Sequence, residues 1–333
     1  MGVCLLGGDA EMIHCSNLTK DYKSFKKTGK LKLRRSKSAE VFRAVDNITF
    51  DIGAGEVVGY IGPNGAGKST TIKMMCGILT PTSGELTVNG LVPYKNRQKN
   101  ARQIGVIFGQ KSQLWWDLPI TSSLKLYQKM YELPDDVYHE RYMQLCDMLE
   151  LDEFADRPVR TLSLGQRMRG ELAAAVLHRP PVLILDEPTI GMDVVVKERI
   201  RAFLKELNRA YGTTLLLTTH DMTDIEKVCA RAIMINKGKK LFDGTLEALR
   251  QNSKTDSRVT VRLEKAVPPA LEARLRGLEK PEAGTYVFRL SHTDEENRLL
   301  SEVLENNRVL DMYIAEPTLE EEVARYLGKG DAQ

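Results

Sequence analysis

The sequence lacks any apolar run that approaches the ~20 residues of a membrane-spanning helix, so we expect no such helix in this chain. Its start, Met1–Leu6, is apolar but too short and uncharged for a signal peptide, and Leu6 stands where a myristoylation site would have Ser or Thr. The 5 cysteines are an odd number without metal-ligand spacing, which argues against a disulfide framework and a cysteine metal site. We therefore expect reduced thiols in a cytosolic protein, with Cys76 and Cys146 as core fillers.

Neither sign of charge dominates, because 48 basic residues stand against 45 acidic ones for a net charge of +3. One segment is an exception: Lys23–Lys37 holds eight basic residues and no acid. A solvated, flexible insert is one interpretation. Attraction to anionic lipid headgroups is a second, since about 1 kcal/mol per basic residue near a membrane surface would accumulate. Nucleic-acid binding is the third and weakest, and we expect no nucleic-acid partner.

The most informative segment is the glycine-rich stretch Gly62–Ser69, which follows an apolar strand pattern at Val57–Ile61 and precedes a helical pattern at Thr70–Ile78. In this context G-x-x-x-x-G-K-[ST] predicts phosphate binding, because glycines let backbone N–H groups converge on one anion at a helix N-terminus. Lys68 can reach the β- and γ-phosphates and Ser69 can ligate Mg²⁺. A glycine-rich turn without function is the alternative. The residues expected to bind the nucleoside triphosphate are Gly62, Pro63, Asn64, Gly65, Ala66, Gly67, Lys68, Ser69 and Thr70.

Two adjacent carboxylates end the apolar run Val182–Leu185, which has the pattern of a buried parallel strand. Ligands of open α/β sheets collect at the carboxyl ends of such strands. Asp186 would hold Mg²⁺ directly or through water, and Glu187 would polarise the attacking water. Alternatively, one of these acids caps the turn before Pro188.

Three further segments carry polar groups that could reach a phosphate. Leu162–Gln166 precedes a helical stretch predicted over Arg167–Leu177, so Ser163 and Gly165 could offer a second anion site or form an ordinary N-cap. Gln110 follows the apolar strand pattern Ile104–Phe108, and His220 follows the apolar run Thr213–Thr219. A single Gln or His at a strand end is usually solvated or hydrogen-bonded locally. A role for either side chain at the γ-phosphate or Mg²⁺ therefore depends on the presence of the other motifs.

Taken in order, these motifs resemble the ATPase subunit of an ABC transporter over roughly residues 11–250. The resemblance implies a phosphate loop, a Q-loop glutamine, a Walker B strand, a D-loop at Gly191–Asp193 and a switch histidine, with Gln110, Glu187 and His220 as catalytic groups. It also implies Mg²⁺ ligands at Ser69, Gln110 and Asp186, and a D-loop contact at Asp193. The signature residues, which would face the phosphate loop of a second subunit, are Ser163, Leu164, Gly165 and Gln166. Leu164 departs from the family pattern, where glycine is common.

Three longer segments are similar to the viologen-exporter-like group of bacterial ABC-2 type ATPases: Ile107–Pro119, Leu162–Arg169 and Asp186–Asp193. The resemblance implies an ATP-hydrolysing exporter motor on the cytoplasmic face of the bacterial inner membrane. It also implies a head-to-tail dimer over two ATP, with a homodimer expected, and separate multi-span permease subunits. Two rival classes are an ABC ATPase acting on nucleic acid or the ribosome, and an ATPase without a transport role that binds a ligand through its C-terminal domain. Copurification with a multi-span subunit would separate transport from both.

The adenine ring is expected to stack on an aromatic side chain of the opening strands. Tyr22 matches the position that the ABC family uses, but the basic insert separates it from Ala44. Phe42 lies closer to the phosphate loop in sequence and is the alternative. Either ring could instead be a core filler.

The two tryptophans, Trp115 and Trp116, are adjacent and lie shortly after Gln110. In an extended segment neighbouring side chains point to opposite sides, so at least one ring should lie near the surface. Family resemblance places the socket for the coupling helix of the membrane subunit here, whereas the alternative is that both rings pin the helical subdomain to the core. We therefore expect this pair to contact the membrane partner.

The predicted architecture is an α/β nucleotide-binding domain of the ABC-type P-loop NTPase fold with a small C-terminal α+β domain. We expect a tail at 1–10, the ATPase domain at 11–250 and the accessory domain at 251–333. Within the ATPase domain we expect opening antiparallel strands at 11–19 and 44–52, a basic insert at 23–40 and a helical subdomain at about 111–170. Periodicity predicts further elements at Asp135–Leu149, Asp193–Tyr211, Val259–Leu263, Tyr286–Leu290, Asp294–Glu305, Met312–Ile314 and Glu320–Leu327.

Overall fold

The computed structural model describes residues 11–24, 40–109, 111–253, 256–290, 294–305 and 307–330. Gln110 and most of the basic insert lie outside these residues, as does the N-terminal tail. The chain divides into two compact units, Met1–Thr245 and Leu246–Gln333. None of the described helices is both long enough and apolar enough to cross a bilayer.

The first unit contains two sheets. Its strands are Glu11–Ser24 (β1), Glu40–Gly53 (β2), Val57–Ile61 (β3), Ser83–Val88 (β4), Ile104–Phe108 (β5), Val182–Asp186 (β6), Thr214–Thr218 (β7), Arg231–Asn236 (β8) and Lys239–Thr245 (β9). Its helices are Lys68–Met75 (α1), Arg97–Ala101 (α2), Ile120–Met130 (α3), Asp135–Leu149 (α4), Leu164–Val176 (α5), Val194–Tyr211 (α6) and Met222–Val228 (α7), with a 3₁₀ turn at Val159–Thr161.

The central sheet has the strand order β5-β6-β7-β3-β8-β9, parallel except for the β8–β9 pair. Strands β3, β6 and β7 are nearly continuous apolar runs, which suits strands that are covered on both faces. An antiparallel sheet with the order β2-β1-β4 shares a core with it, in which Phe50 and Tyr60 lie 5.8 Å apart. This layout brings the carboxyl ends of β3 and β6 to one edge.

Several boundaries differ from the sequence predictions. The opening strands extend to Ser24 and from Glu40, so Lys23 pairs with Val41 and belongs to a strand rather than to the insert. The salt bridge from Arg43 to Asp21, at 2.8 Å, stabilises this longer ribbon. Among the predicted core cysteines, Cys146 is buried, and Cys76 is half-buried and packs against the core.

The helix after the signature begins earlier than predicted, at Leu164 instead of Arg167. Ser163 and Gln166 form a capping box, in which each side chain accepts the other residue's backbone N–H. The α6 helix begins one residue later than predicted, at Val194, because Asp193 is its N-cap and accepts the Val196 N–H at 2.9 Å.

The second unit is built on a four-stranded antiparallel sheet with the order β11-β12-β10-β13. Val259 and Phe288 from the sheet and Leu299 and Val303 from a helix form its separate core. Its elements are Leu246–Ser253 (α8), Ser257–Leu263 (β10), Pro269–Glu272 (α9), Arg276–Glu279 (β11), Thr285–Leu290 (β12), Asp294–Glu305 (α10), Val309–Ala315 (β13) and Leu319–Gly330 (α11). The strand β11 was not predicted from the sequence.

Candidate nucleotide-binding site

The phosphate loop connects β3 to α1 at the carboxyl edge of the central sheet. Gly67 has φ +107°, and a Cβ there would lie 2.5 Å from the Ala44 carbonyl oxygen. At Gly62 a Cβ would lie 2.2 Å from the Ile235 carbonyl oxygen. Only glycine fits both positions, because side chains would meet backbone atoms that cannot move aside. The loop is therefore fixed between β2 and β8, and its backbone turns into the N-terminus of α1, where partial positive charge collects.

Lys68 is the buried cation of this loop. Its Nζ donates to the Gly62 carbonyl at 2.5 Å and to the Pro63 carbonyl at 3.1 Å. Burial lowers the pKa of Lys68, while the nearby Glu187 and Asp186 carboxylates act in the opposite direction. A buried ammonium at the first residue of α1 is suited to binding a polyanion.

Asp186 lies at the end of β6 and is held by hydroxyl groups on both sides. Thr218, its register partner on β7, donates to Oδ1 at 2.6 Å, and Ser69 donates to Oδ2 at 3.3 Å. Parallel pairing of β6 with β7 therefore places the carboxylate over the first turn of α1. A carboxylate and a hydroxyl are hard oxygen donors, so Ser69 and Asp186 fit a Mg²⁺ ion.

Glu187 and His220 lie within hydrogen-bonding distance, with His220 Nε2 2.6 Å from Glu187 Oε1. The Glu187 backbone is left-handed, with φ +58°, and its N–H donates to the Thr218 carbonyl at 2.9 Å. Such a conformation costs about 1–2 kcal/mol for a residue with a side chain. Gly109 allows it, because a Cβ at Gly109 would lie 2.7 Å from the Asp186 carbonyl oxygen.

Ser69, Asp186, Glu187 and Gly109 line a cavity of about 560 Å³. Its size is within the ~300–1,000 Å³ range of small-molecule sites. Of the described signature residues, none lines the cavity. The cavity is lined by Asn64, Ser69, Lys73, Ile78, Phe108, Gly109, Lys111, Asp186, Glu187 and Ile190.

The signature lies instead at the N-terminus of α5. Gly165 is buried there, and a Cβ on it would lie 2.8 Å from a methyl group of Val196 on α6. Leu164 is exposed, and its Cδ2 would lie 3.2 Å from a Cβ built on Gly191. The signature helix and the D-loop are thus neighbours within one chain.

A buried carboxylate that the sequence reasoning missed links the loop of Glu187 to the loop of His220. Asp224 accepts hydrogen bonds from the hydroxyl of Thr189, two residues after Glu187, and from the hydroxyl of Thr219 at 3.1 Å, one residue before His220. Both threonines are buried. One side chain of α7 therefore fixes the distance between the two loops.

Arg201 on α6 neutralises Asp224. Its Nε donates at 2.7 Å and a second guanidinium nitrogen contacts the same carboxylate oxygen, while its third nitrogen contacts Glu198 at 2.7 Å. In the sequence, Asp224 is recognisable only as a charged side chain in a helix next to the motifs. Many solvated helices have such a side chain, so the sequence does not single it out.

The aromatic candidates for adenine stacking face each other on adjacent strands. Tyr22 on β1 is the register partner of Phe42 on β2. The rings are 38% and 61% exposed respectively, so neither is a core filler. Phe42 lies two residues before Ala44, which contacts the phosphate loop. Both rings are therefore available, and the pairing leaves the choice between them open.

Trp115 and Trp116 both lie at the surface, next to the exposed Leu118. The Trp115 ring packs against Tyr127, with centroids 5.7 Å apart, and the guanidinium of Arg167 lies 5.8 Å from the Trp116 ring. In this segment the side chain that is buried in the core is Leu114, and not either tryptophan. The prediction that at least one ring lies near the surface agrees with this arrangement.

The fold and this arrangement define an ATP-binding cassette of the P-loop class. A family described as ABC transporter matches residues 45–190. The chain is 31% identical over 217 residues to the ABC transporter ATP-binding protein NatA of Bacillus subtilis, a match that covers 65% of this chain and 88% of NatA. The chain therefore belongs to the family of ABC transporter ATP-binding subunits, whose cassettes are ATPases.

Two other similarities extend this result. The chain is 35% identical over 227 residues to the probable multidrug ABC transporter ATP-binding protein YbhF of Escherichia coli, covering 68% of this chain but only 38% of YbhF. Its fold is similar to that of the dimeric cassette MJ0796, solved in a post-hydrolysis state with ADP and Pi. That similarity has a TM-score of 0.60 and 27% identity, and covers 71% of this chain and 99% of MJ0796.

Proposed function

We propose that this chain is the ATP-hydrolysing motor of an ABC-2 type exporter and acts on a separate transmembrane subunit at the cytoplasmic face of the bacterial inner membrane. The observation that carries the proposal is the convergence of Ser69, Asp186 and Glu187 at one cavity in a chain of the transporter ATP-binding family. Export is supported by the resemblance of three segments to viologen-exporter-like ATPases, and by the multidrug transporter name of the YbhF relative.

At this site Lys68 and the loop amides bind the β- and γ-phosphates of ATP. Ser69 and Asp186, with Gln110, would hold Mg²⁺, and the ion would supply positive charge next to the phosphates. Glu187 accepts a hydrogen bond from the attacking water and polarises it. His220 donates to Glu187 and keeps that carboxylate oriented, since the two side chains lie 2.6 Å apart.

The second half of the site comes from another copy of the chain. Ser163, Leu164, Gly165 and Gln166 open the 13-residue helix α5, whose N-terminus suits the γ-phosphate of a partner. They do not line the cavity of their own chain, which supports a role across a dimer. ATP that binds the closed dimer more tightly than the open one would then supply the work on the membrane subunit.

A mixing experiment tests the shared site. A Lys68→Ala chain lacks the phosphate contact and a Ser163→Arg chain lacks the signature contact, so neither homodimer has an intact site. A mixed dimer has one intact site, and we expect it to recover part of the ATPase activity. Ser301→Arg, which changes a serine of α10 in the second unit, is the matched control and should be as active as the unchanged chain. Proven mixed dimers with no recovered activity would refute the shared site.

The exposed tryptophan pair is our candidate contact for the membrane subunit, because apolar rings at a surface favour a partner. Trp115→Ala and Trp116→Ala should leave ATP binding unchanged. At least one of them should reduce copurification with the membrane subunit. Met143→Ala, which removes another exposed apolar side chain on α4, is the control. Normal assembly and transport by both tryptophan variants would refute this contact.

A further inference from the structure

The edge strand β13 of the second unit exposes an unusual amount of apolar surface. It has 7 residues and lies at the end of the sheet, paired only with β10 among the described strands. Val309, Leu310, Met312, Tyr313 and Ile314 are between 39% and 67% exposed. Native proteins rarely leave such an edge free, because its unpaired N–H and C=O groups attract other strands.

The opposite edge of the same sheet is protected. Strand β11 has only 4 residues, and Gly277 within it has φ +63°. Its ends are ionic: Glu279 pairs with Arg258 at 3.0 Å and Arg276 with Asp256 at 3.4 Å. Shortness, an irregular backbone and charge are the usual devices against edge pairing. The contrast indicates that the edge of β13 is left open for a partner strand.

Both faces of β13 contribute to this surface. Met312 and Ile314 are register partners of the buried Val261 and Val259, so they lie on the core side of the sheet and still are exposed. Tyr313, whose register partner is Thr260, lies on the other side. A partner that packed on one face of the sheet would leave the apolar side chains on the other face exposed. A strand added to the edge of β13 extends both faces of the sheet and can cover side chains on each.

We propose that β13 pairs with β13 of a second copy of this chain, antiparallel about a two-fold axis at Met312. This register places Leu310 opposite Ile314 and the exposed Arg308 opposite Glu316 of the other copy. Each contact occurs twice, as an isologous interface requires. Opposite charges and apolar pairs directly across an antiparallel ladder are both stabilising.

Charge selects this register from its neighbours. An axis at Asp311 would place two aspartates opposite each other and remove the Arg308 pairing. An axis at Tyr313 would place Arg308 opposite Thr318 and Glu316 opposite Leu310. Only the axis at Met312 pairs both charged ends with their opposites. This self-complementarity of charge favours another copy of β13 as the occupant.

The interface is separate from the nucleotide-dependent dimer, so the test uses the full chain without nucleotide and with the Lys68→Ala change. We expect a dimer in sedimentation equilibrium. Arg308→Glu or Glu316→Arg alone places like charges opposite each other twice, and should weaken the dimer about tenfold or more. The double variant Arg308→Glu/Glu316→Arg should restore it. Arg274→Glu, which reverses a charge of the surface pair with Glu302, is the control and should have no effect.

A crosslink tests the register. Met312→Cys places two thiols across the axis, within disulfide distance, and should give a covalent dimer on mild oxidation. Arg308→Cys places its two thiols roughly 25 Å apart and should not. A nucleotide-free chain that is monomeric at high concentration would overturn the proposal. So would a dimer that is unaffected by both charge reversals, or a strand that pairs only with a different protein.

Discussion

Asp224 offers the sharpest test of how the loops of Glu187 and His220 are held. It is 1% exposed, and its partner Arg201 is also buried. Removing one member of a buried pair typically costs about 3–5 kcal/mol, and Arg201 would keep only the more exposed Glu198 and Asp221 as acidic partners. We therefore expect Asp224→Ala to lower the free energy of unfolding by about that amount, a large part of the ~5–15 kcal/mol of a typical domain.

The magnitude depends on what the substitute can still do. Asp224→Asn keeps one oxygen for Arg201 and a polar group for the threonines but loses the charge, so we expect a smaller loss of about 1.5–3 kcal/mol. Glu198→Ala removes a second acidic contact of Arg201 and leaves Asp221, at 3.6 Å. Because Glu198 is 46% exposed, we expect that change to cost much less than Asp224→Ala.

Urea unfolding gives the three free energies, and ATPase assays at a temperature where all variants are folded give the function. Because Asp224 joins the loops of Glu187 and His220 without lining the cavity, both substitutions should lower kcat and leave KM for ATP nearly unchanged. If Asp224→Ala is no more destabilising than Glu198→Ala, burial does not control this cluster. If kcat is also unchanged, the carboxylate does not position the loops.

Two further predictions follow from the site and its surroundings. Glu187→Gln should abolish hydrolysis but keep ATP binding, because the amide preserves the shape of the side chain and cannot polarise water as strongly. Lys68→Ala should weaken ATP binding itself, because it removes a charged contact to phosphate. Equal effects of the two changes on nucleotide affinity, measured by titration, would contradict these roles. Burial lowers the pKa of His178 to about 4, so its folded form binds fewer protons than the unfolded chain and stability is lost as pH falls below about 6.5. Between pH 7 and pH 4, we expect His178→Phe to lose about 2–3 kcal/mol less of its free energy of unfolding than the unchanged chain does. The phenyl ring keeps the stacking on Tyr131, where the ring centroids lie 3.9 Å apart. An unchanged pH profile of unfolding would refute this.

The sequence predicted the parts of the site that depend on local patterns. The phosphate loop, the acids after β6 and His220 after β7 each follow an apolar strand in the sequence, and parallel strands bring their carboxyl ends to one edge. The start of α5 was placed three residues late, although the spacing of Ser163 and Gln166 contains the capping box that marks the true start.

Other parts depend on residues far apart in the sequence. Nothing near Asp224 in the chain indicates that it contacts Thr189, 35 residues earlier, because that contact exists only when α7 packs beside the loop after β6. The strand β11 was not predicted for a different reason. Its sequence Arg-Gly-Leu-Glu has no alternation of apolar and polar residues, and only its pairing with β12 makes it a strand.

The geometry of Glu187 shows how local and distant causes combine at the site. Locally, Pro188 disfavours the right-handed helical conformation of the residue before it, but this does not select φ +58°. The selection comes from the neighbouring strand, since the Glu187 N–H donates to the Thr218 carbonyl at 2.9 Å. Gly109 then lies against the backbone of the acids, with its N–H 2.8 Å from the Asp186 carbonyl oxygen. The position of the Glu187 carboxylate beside His220 is thus a consequence of the registers of three parallel strands, and a change in any of them would move this carboxylate without altering Glu187 or His220.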